Sequence, residues 1–454
     1  MHCEVERKDL VKALRIVGKT VGKQRESVPS ISGVKITVDD DHLTLKTTNL
    51  QQATTTAIDT TVSIDNPYWE NGEYLVDFKL LKKIVDRAKS PTVALCGTYH
   101  ALPIEPVTDE MPSGAGSWVP DDNGNYHKSE ELIAWHSKWD PVLAAWKGDL
   151  ARTIKDGVLT ITTDGSTTIP PMRLEDFPAS MASRDNVDIC TITGKVLKEA
   201  VKRVANIALK EKETTRRALT GINIAVDAIC NSLILVAVNG YRLEKLLIPV
   251  GLLTDDTDLS VTIPAAAWSK LAQSIGAKET VTLGYDQELQ AFSMTAGDTT
   301  SSITALSDPF PDYNRVIPSD NSDYKIKVNR GAFLASLERG SIVANEESNA
   351  ITLQARGDGR LLVSSASKYK GEYEEPIALL GGFPGQLGIS FRGDYLSGFC
   401  RQHKEAQEIE LVLQSAEQAA IIRAPGDRDD TTVIMPVRLD TMPTEQWSAV
   451  AVPA

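Results

Sequence analysis

One order of hydrophobic patterns runs along this chain three times, and that repetition restricts the possible folds more than any single motif does. Each copy opens with an apolar stripe at helical spacing, over residues 7–22, 194–209 and Arg330–Val343. Two strands with β-branched alternation follow each time: 33–38 and 43–47, then 221–226 and 233–238, then 350–354 and 360–364. A second strand-then-helix unit comes next, at 73–83, 260–270 and 388–396, and after it a strand at 92–95, 280–283 and 409–413. The first two copies close alike, on Leu174-Glu-Asp-Phe-Pro178 and Ser307-Asp-Pro-Phe-Pro311. Helices and antiparallel strands in this order predict three α+β domains, placed at 1–182, 183–319 and 320–439, with a tail over 440–454.

The first copy is longer than the second because of an insertion at about residues 98–155. It begins as a loop rich in Pro, Gly, Ser and Asp and continues as a predicted helix over 129–154, interrupted at Pro141. Four of the seven tryptophans lie in it: Trp118, Trp135, Trp139 and Trp146. Trp135 and Trp139 are one helical turn apart and share a face, which packs on the domain's own surface or receives a partner.

A count of 48 Lys and Arg against 61 Asp and Glu gives a net charge of −13. That balance argues against a nucleic-acid binder unless the positive charge is segregated on one surface. The five cysteines are scattered with no C-x-x-C pair, which suits reduced thiols in a cytoplasm. Residues 1–25 lack the apolar stretch of a signal peptide, and no apolar run approaches membrane-spanning length. A cytoplasmic address is therefore expected, with no membrane partner. Phosphate-binding loops, zinc-protease helices and nucleophile elbows are missing from the sequence, and the six histidines show no ligand spacing. No enzyme activity, metal or cofactor is expected.

The positive charge is indeed segregated. At 100° per residue, Leu10, Leu14, Val17 and Val21 fall on one side of the first helix, and Lys8, Lys12, Arg15, Lys19 and Lys23 on the other. Lys79, Lys82, Lys83 and Arg87 oppose Leu81, Ile84 and Ala88 in the next helix, and Lys195, Lys198 and Lys202 line one side of the second copy's first helix. The third copy is thinner, with Arg330, Arg339, Arg392, Arg401 and Lys404. One such stripe is usually a solvated face. Recurrence on equivalent helices of an acidic chain points instead to a track for the phosphates of duplex DNA, read without regard to sequence.

Four segments then carry a family resemblance. Val238-Asn-Gly-Tyr-Arg-Leu243 is similar to the Thr-Asp-Gly-His-Arg-Leu segment of bacterial DNA polymerase III beta sliding clamps. Phe310-Pro-Asp-Tyr-Asn-Arg-Val-Ile-Pro318 resembles their Phe-Pro-Asp-Tyr-Arg-Arg-Val-Leu-Pro, and Met435-Pro-Val-Arg-Leu439 their C-terminal Met-Pro-Met/Val-Arg-Leu. The opening Val5-Glu-Arg-Lys-Asp-Leu10 also fits. The resemblance covers about residues 1–97 and 156–439 and implies three DNA-clamp domains per chain, closed by a second chain into a head-to-tail homodimeric ring lined by basic helices.

It also implies an apolar pocket between the second and third domains for short peptides of DNA polymerase, the clamp loader and other clamp-motif proteins. Carried over by motif, that pocket uses Arg216, Leu219, Val238, Gly240, Tyr241, Arg242 and Leu243. It adds Pro311, Arg315 and Val316, then Val433, Ile434, Met435, Pro436, Val437, Arg438 and Leu439. Tyr241 and Asn239 replace the family's His and Asp, and the tail and the insertion have no counterpart in the family's ordinary pattern. A clamp-fold variant carried by a mobile element, binding such peptides without serving as the main processivity factor, is the alternative reading.

Overall fold

The computed structural model describes residues 2–23, 28–39, 42–62, 73–98, 118–120, 126–128, 158–178, 186–254, 259–426 and 430–438. The predicted helix over 129–154 and Leu439 with the tail 440–454 lie outside them. The chain divides into two compact units, Met1–Ser183 with Asp298–Ser302, and Arg184–Gly297 with Ile303–Ala454.

In the first unit, the strands Ser166–Ile169, Val158–Thr162, Thr92–Thr98, His2–Glu6 and Thr61–Val62 lie side by side in that order. A second antiparallel run is formed by Gln52–Asp59, His42–Thr48, Gly33–Asp39 and Glu73–Asp77. Helices α1 (Arg7–Val17) and α2 (Phe78–Arg87) cover one core. Leu10, Leu14 and Val17 of α1 meet Leu81 and Val85 of α2 there, over Val34, Ile36, Leu43 and Leu95 from the strands. The Asp77 side chain accepts from the Leu80 amide at 2.7 Å and caps α2, fixing where the strand turns into the helix.

Helix α1 is shorter than its apolar spacing predicts. It ends at Val17, with Gly18 as the C-cap. The Val17 carbonyl accepts from the hydroxyls of Thr20 at 3.1 Å and Thr47 at 2.6 Å, and these bonds draw the chain out of the helix. The insertion contributes a two-stranded pair, Trp118–Pro120 with Tyr126–Lys128, where the composition predicts only a loop.

The second unit carries two further copies of the pattern, each with its own core. Helices α3 (Gly194–Ala205) and α4 (Ala265–Ala272) serve the first, and α5 (Arg330–Val343) and α6 (Gly393–Gln402) the second. The helix predicted over 194–209 stops at Ala205, where Asn206 closes the last turn. Trp268 is fully buried, edge-on to Phe292 at 5.1 Å, so truncation to alanine there costs about 3–5 kcal/mol.

An eight-stranded antiparallel sheet joins the two copies. Its order is Ser260–Pro264, Gly221–Asp227, Ser232–Val238, Arg242–Pro249, Thr431–Ile434, Ala420–Arg423, Glu408–Leu413 and Tyr324–Asn329. The joint is the ladder between Arg242–Pro249 and Thr431–Ile434, in which Leu243 faces Val433 and Arg242 faces Ile434. A separate four-stranded sheet runs Gly371–Ala378, Arg360–Ser367, Ala350–Arg356, Gln386–Arg392. Among the described residues, no helix is long and apolar enough to cross a membrane, and no cluster of His, Cys, Asp and Glu is arranged to hold a metal ion.

Candidate partner pocket and cationic helix faces

The joint carries a small apolar cluster apart from both cores. Val236, Leu243, Ala419 and Val433 are buried in it, and Val238, Phe310, Tyr313 and Ile317 pack against it half-buried. The segment around Phe310–Ile317 thus lies against the joining sheet, and it leaves Pro311, Arg315 and Val316 exposed beside it. Arg315 is tied to Asp312 at 2.9 Å.

A tight turn forms the next wall. Gly240 takes a φ of +85°, and the Asn239 side-chain oxygen accepts from the amides of Tyr241 at 3.0 Å and Arg242 at 2.8 Å. Asparagine supplies the same acceptor as the aspartate it replaces, so the turn survives the exchange. The Tyr241 ring is left 62% exposed, a large amphipathic surface for contact. Beyond Ile434 the Met435 amide is bonded to the Tyr241 carbonyl at 2.8 Å and the Val437 amide to the Ser390 carbonyl at 2.7 Å. Met435 is partly exposed, Pro436 and Val437 are half-buried, and Arg438 is exposed.

Residues 238–243 and 433–438 are therefore brought together, with Pro311, Arg315 and Val316 on the segment packed over them. Leu219 is half-buried and its carbonyl accepts from the Leu209 amide at 2.9 Å, just beyond α3, while Arg216 is exposed before it. Sequence reasoning missed Tyr395. The Arg242 guanidinium lies 4.1 Å from the centre of its ring, and that of Arg392 lies 5.3 Å from it. Arg242 also donates to the Asn206 carbonyl at 3.2 Å. Burial pulls the Arg242 guanidinium below its ordinary value, against the opposing pull of Tyr395, Asp394 and Glu244. The missed signal is the Phe391-Arg-Gly-Asp-Tyr395 turn into α6, whose arginine the sequence assigned to the DNA track.

The cationic faces differ among the copies. On α1, Lys12 and Arg15 are exposed opposite the buried Leu10, Leu14 and Val17, while Lys8 pairs with Glu6 at 2.6 Å. Lys19 and Lys23 follow the end of the helix, so they do not extend its stripe as the spacing predicts. On α2, Lys79, Lys83 and Arg87 are exposed and Lys82 pairs with Asp86 at 2.5 Å; Lys79, Lys82, Lys83, Asp86 and Arg87 line a shallow depression. Both helices bury their apolar sides in one core, so their cationic sides face solvent in the same layer.

On α3, Lys195 and Lys202 are exposed and Lys198 is half-buried. The arginines of the third copy are engaged internally. Arg330 donates to the carbonyls of Ala406 and Cys400, Arg339 grips Glu375 at 2.6 and 2.7 Å, and Arg401 pairs with Glu338 at 2.8 Å. Arg392 pairs with Asp394 at 3.1 Å, so four of the five cations expected there are neutralised or turned inward, which leaves that copy a weak electrostatic surface.

Comparison with known proteins follows these features. Family models described as the N-terminal, central and C-terminal domains of the DNA polymerase III beta subunit match residues 1–96, 191–312 and 314–438. The beta sliding clamp of Synechococcus elongatus is 26% identical over 233 residues, 50% of this chain and 60% of the relative's length. That of Staphylococcus aureus is 26% identical over 257 residues, 56% of this chain and 65% of the relative. The aligned stretch is thus somewhat under two thirds of either relative. Among solved structures, the DNA polymerase sliding clamp from Pseudomonas aeruginosa superposes with a TM-score of 0.74 at 19% identity, over 97% of this chain and 100% of that one. The Bacillus subtilis clamp gives 0.72 at 20% identity, over 97% and 99%. These likenesses define a clamp fold of three repeated α+β modules. The chain belongs to the DNA polymerase III beta subunit family.

Proposed function

We propose that this chain is the subunit of a DNA sliding clamp. Two copies close head to tail around duplex DNA, and the ring carries DNA polymerase, the clamp loader and other proteins that dock a short apolar motif at the Leu243–Val433 joint. The observation that carries this reading is the cationic surface of α1 and α2, where Lys12, Arg15, Lys79, Lys83 and Arg87 are exposed on a chain of net charge −13. Cations gathered on one layer attract phosphate backbone, and the acidic remainder repels DNA that is off the track. A ring need not grip its DNA tightly, because topology keeps it there while it slides and holds its passengers at high local concentration.

Ring closure is supported by two sheet margins. Ser166–Ile169 ends one sheet of the first unit, and Gly371–Ala378 ends the four-stranded sheet of the second. Unpaired strand edges favour pairing with another chain, and head-to-tail closure satisfies both. Ile342 on α5 is 71% exposed and offers an apolar anchor for that contact.

At the joint, Val316, Met435 and Leu219 offer an adaptable apolar surface, while Arg216 and Arg438 supply cations for a peptide's carboxylates and Arg315, paired with Asp312, borders them. The chemistry is binding and tethering with no reaction of its own, and its place is the cytoplasm. Polymerase extension on primed circular DNA tests the proposal: a clamp raises product length, whereas a decoy that only occupies clamp-binding peptides lowers it.

A further inference from the structure

We propose that Arg203, Glu244 and Asp430 form a largely buried ionic clasp, centred on the fully buried Glu244, between the second and third clamp domains, and that this clasp sets the strand register which positions the pocket wall Met435–Arg438. The inference rests on the reading of the joint as a peptide pocket and names what regulates its geometry.

Glu244 lies on the strand Arg242–Pro249, two residues beyond the pocket's Arg242, and its side chain is 2% exposed. One carboxylate oxygen accepts from Arg203 Nε at 3.0 Å and Nη2 at 2.6 Å, and from Gln402 Nε2 of α6 at 3.5 Å. The other accepts from the hydroxyl of Thr432, its ladder partner, at 3.2 Å. The remaining arm of Arg203 reaches Asp430 at 2.7 Å, whose second oxygen accepts from the Leu247 amide at 3.2 Å. One guanidinium from α3 therefore holds a carboxylate from its own domain and one from the domain beyond. Burial alone would lower the Arg203 guanidinium, but Glu244 and Asp430 outweigh it and hold it above its ordinary value.

A buried ion pair adds little net stability over a well-packed apolar replacement, and its best-attested use is to specify a register. The joint needs such a device. Its strand reads Thr431-Thr-Val-Ile434, and a slip of two residues keeps every side chain on its own face of the sheet. The apolar contacts of Leu243 and Val433 discriminate weakly against that slip. It would carry Asp430 roughly 7 Å along the strand, out of reach of Arg203. Asp430 immediately precedes the strand that delivers Met435 and Val437, so the clasp acts where the pocket wall begins. Arg203, Glu244 and Asp430 are positioning residues in this account, and none is required to touch the peptide.

The test replaces all three charges together, Arg203→Met, Glu244→Leu and Asp430→Leu, so that no orphaned ion remains. Three quantities are measured on the full-length chain: the thermal midpoint, the affinity for a fluorescein-labelled peptide carrying a bacterial clamp-binding motif, and amide hydrogen exchange at Met435 and Val437. The expected result is a midpoint close to the parent's, at least tenfold weaker peptide binding, and faster exchange at both amides. Parental affinity together with parental exchange would overturn the proposal. Should the triple variant not fold, Asp430→Asn keeps the acceptor for Leu247 and removes only the charged link. Faster exchange at Met435 and Val437 is expected there too, and unchanged exchange overturns the clasp. If the parent itself fails to bind the peptide, the pocket reading falls, and the exchange experiment still decides the clasp.

Discussion

The guanidinium of Arg242 lies 4.1 Å from the ring centre of Tyr395, and this stack ties the turn after the strand Ser232–Val238 to helix α6 of the next domain. Beside it, the Leu243–Val433 ladder makes one sheet of two domains. A peptide seated at this joint would be held by parts of both, so its affinity depends on keeping them in register.

Loss of the stack is predicted to weaken partner binding. Arg242→Ala should reduce affinity for a fluorescent clamp-motif peptide by about 1–3 kcal/mol, roughly five- to 150-fold, with loader-independent affinity for duplex DNA unchanged. Fluorescence anisotropy reads the first effect, and peptide affinity equal to the parent's would remove Arg242 from the pocket.

Charge reversal on α1 separates the two functions in the opposite direction. Lys12→Glu with Arg15→Glu should impair DNA association and flatten its salt dependence by about 0.9 in log–log slope for each phosphate that is no longer neutralised. Peptide affinity should hold. Arg339→Glu is the matched control, because Arg339 is already committed to Glu375 and its loss should leave the salt slope unchanged.

Ring closure predicts a solution mass of twice the 49.3 kDa chain by light scattering. Ile342→Asp should bring the mass down to that of one chain at micromolar concentration, since a charge at an apolar closure contact is left without a partner. A parent chain of single-subunit mass would refute closure by two copies.

The thiols give a pH signature. Burial pushes Cys3, Cys190 and Cys400 up to about 12 from an ordinary 9.0, so each holds its proton more tightly folded than unfolded. Their stabilising effect is complete below about pH 9 and is lost as the pH rises from there towards 12. At pH 8 their thiolate fraction is on the order of a thousandfold below that of an ordinary thiol. Ellman's reagent should therefore modify exposed Cys230 rapidly and those three only on unfolding, and a fast native phase of three or more thiols would contradict this. On the acid side, Arg339 and Tyr373 hold Glu375 at about 2 against an ordinary 4.5, so its contribution is complete above about pH 4.5 and is lost as the pH falls from there towards 2. That pair is largely exposed, so the effect is small.

Much of the architecture was legible because it is local. Period-3.6 and period-2 patterns located two helices and four strands in each copy, while strands such as Arg242–Pro249 and Thr431–Ile434 went unread, and three short segments marked the joint. What was not legible depends on partners far away in sequence. The stripe on α1 looked longer because Lys19 and Lys23 keep the helical spacing, while the hydroxyl of Thr47 that helps end the helix arrives from a distant strand. The arginines of the third copy read as free cations, since nothing local reveals that Arg339 meets Glu375 or that Arg401 meets Glu338. Arg203 is separated from Glu244 by 41 positions and from Asp430 by 227, beyond any periodicity.

Retention on closed against cut DNA tests the central claim most directly. The chain is loaded by a clamp loader onto a nicked circular duplex at physiological salt, and the bound fraction is followed before and after a restriction enzyme opens the circle. An encircling ring stays on the closed circle and runs off the linear product, shortening its residence by more than about tenfold. Equal residence on both forms would show binding by surface attraction alone and contradict the clamp.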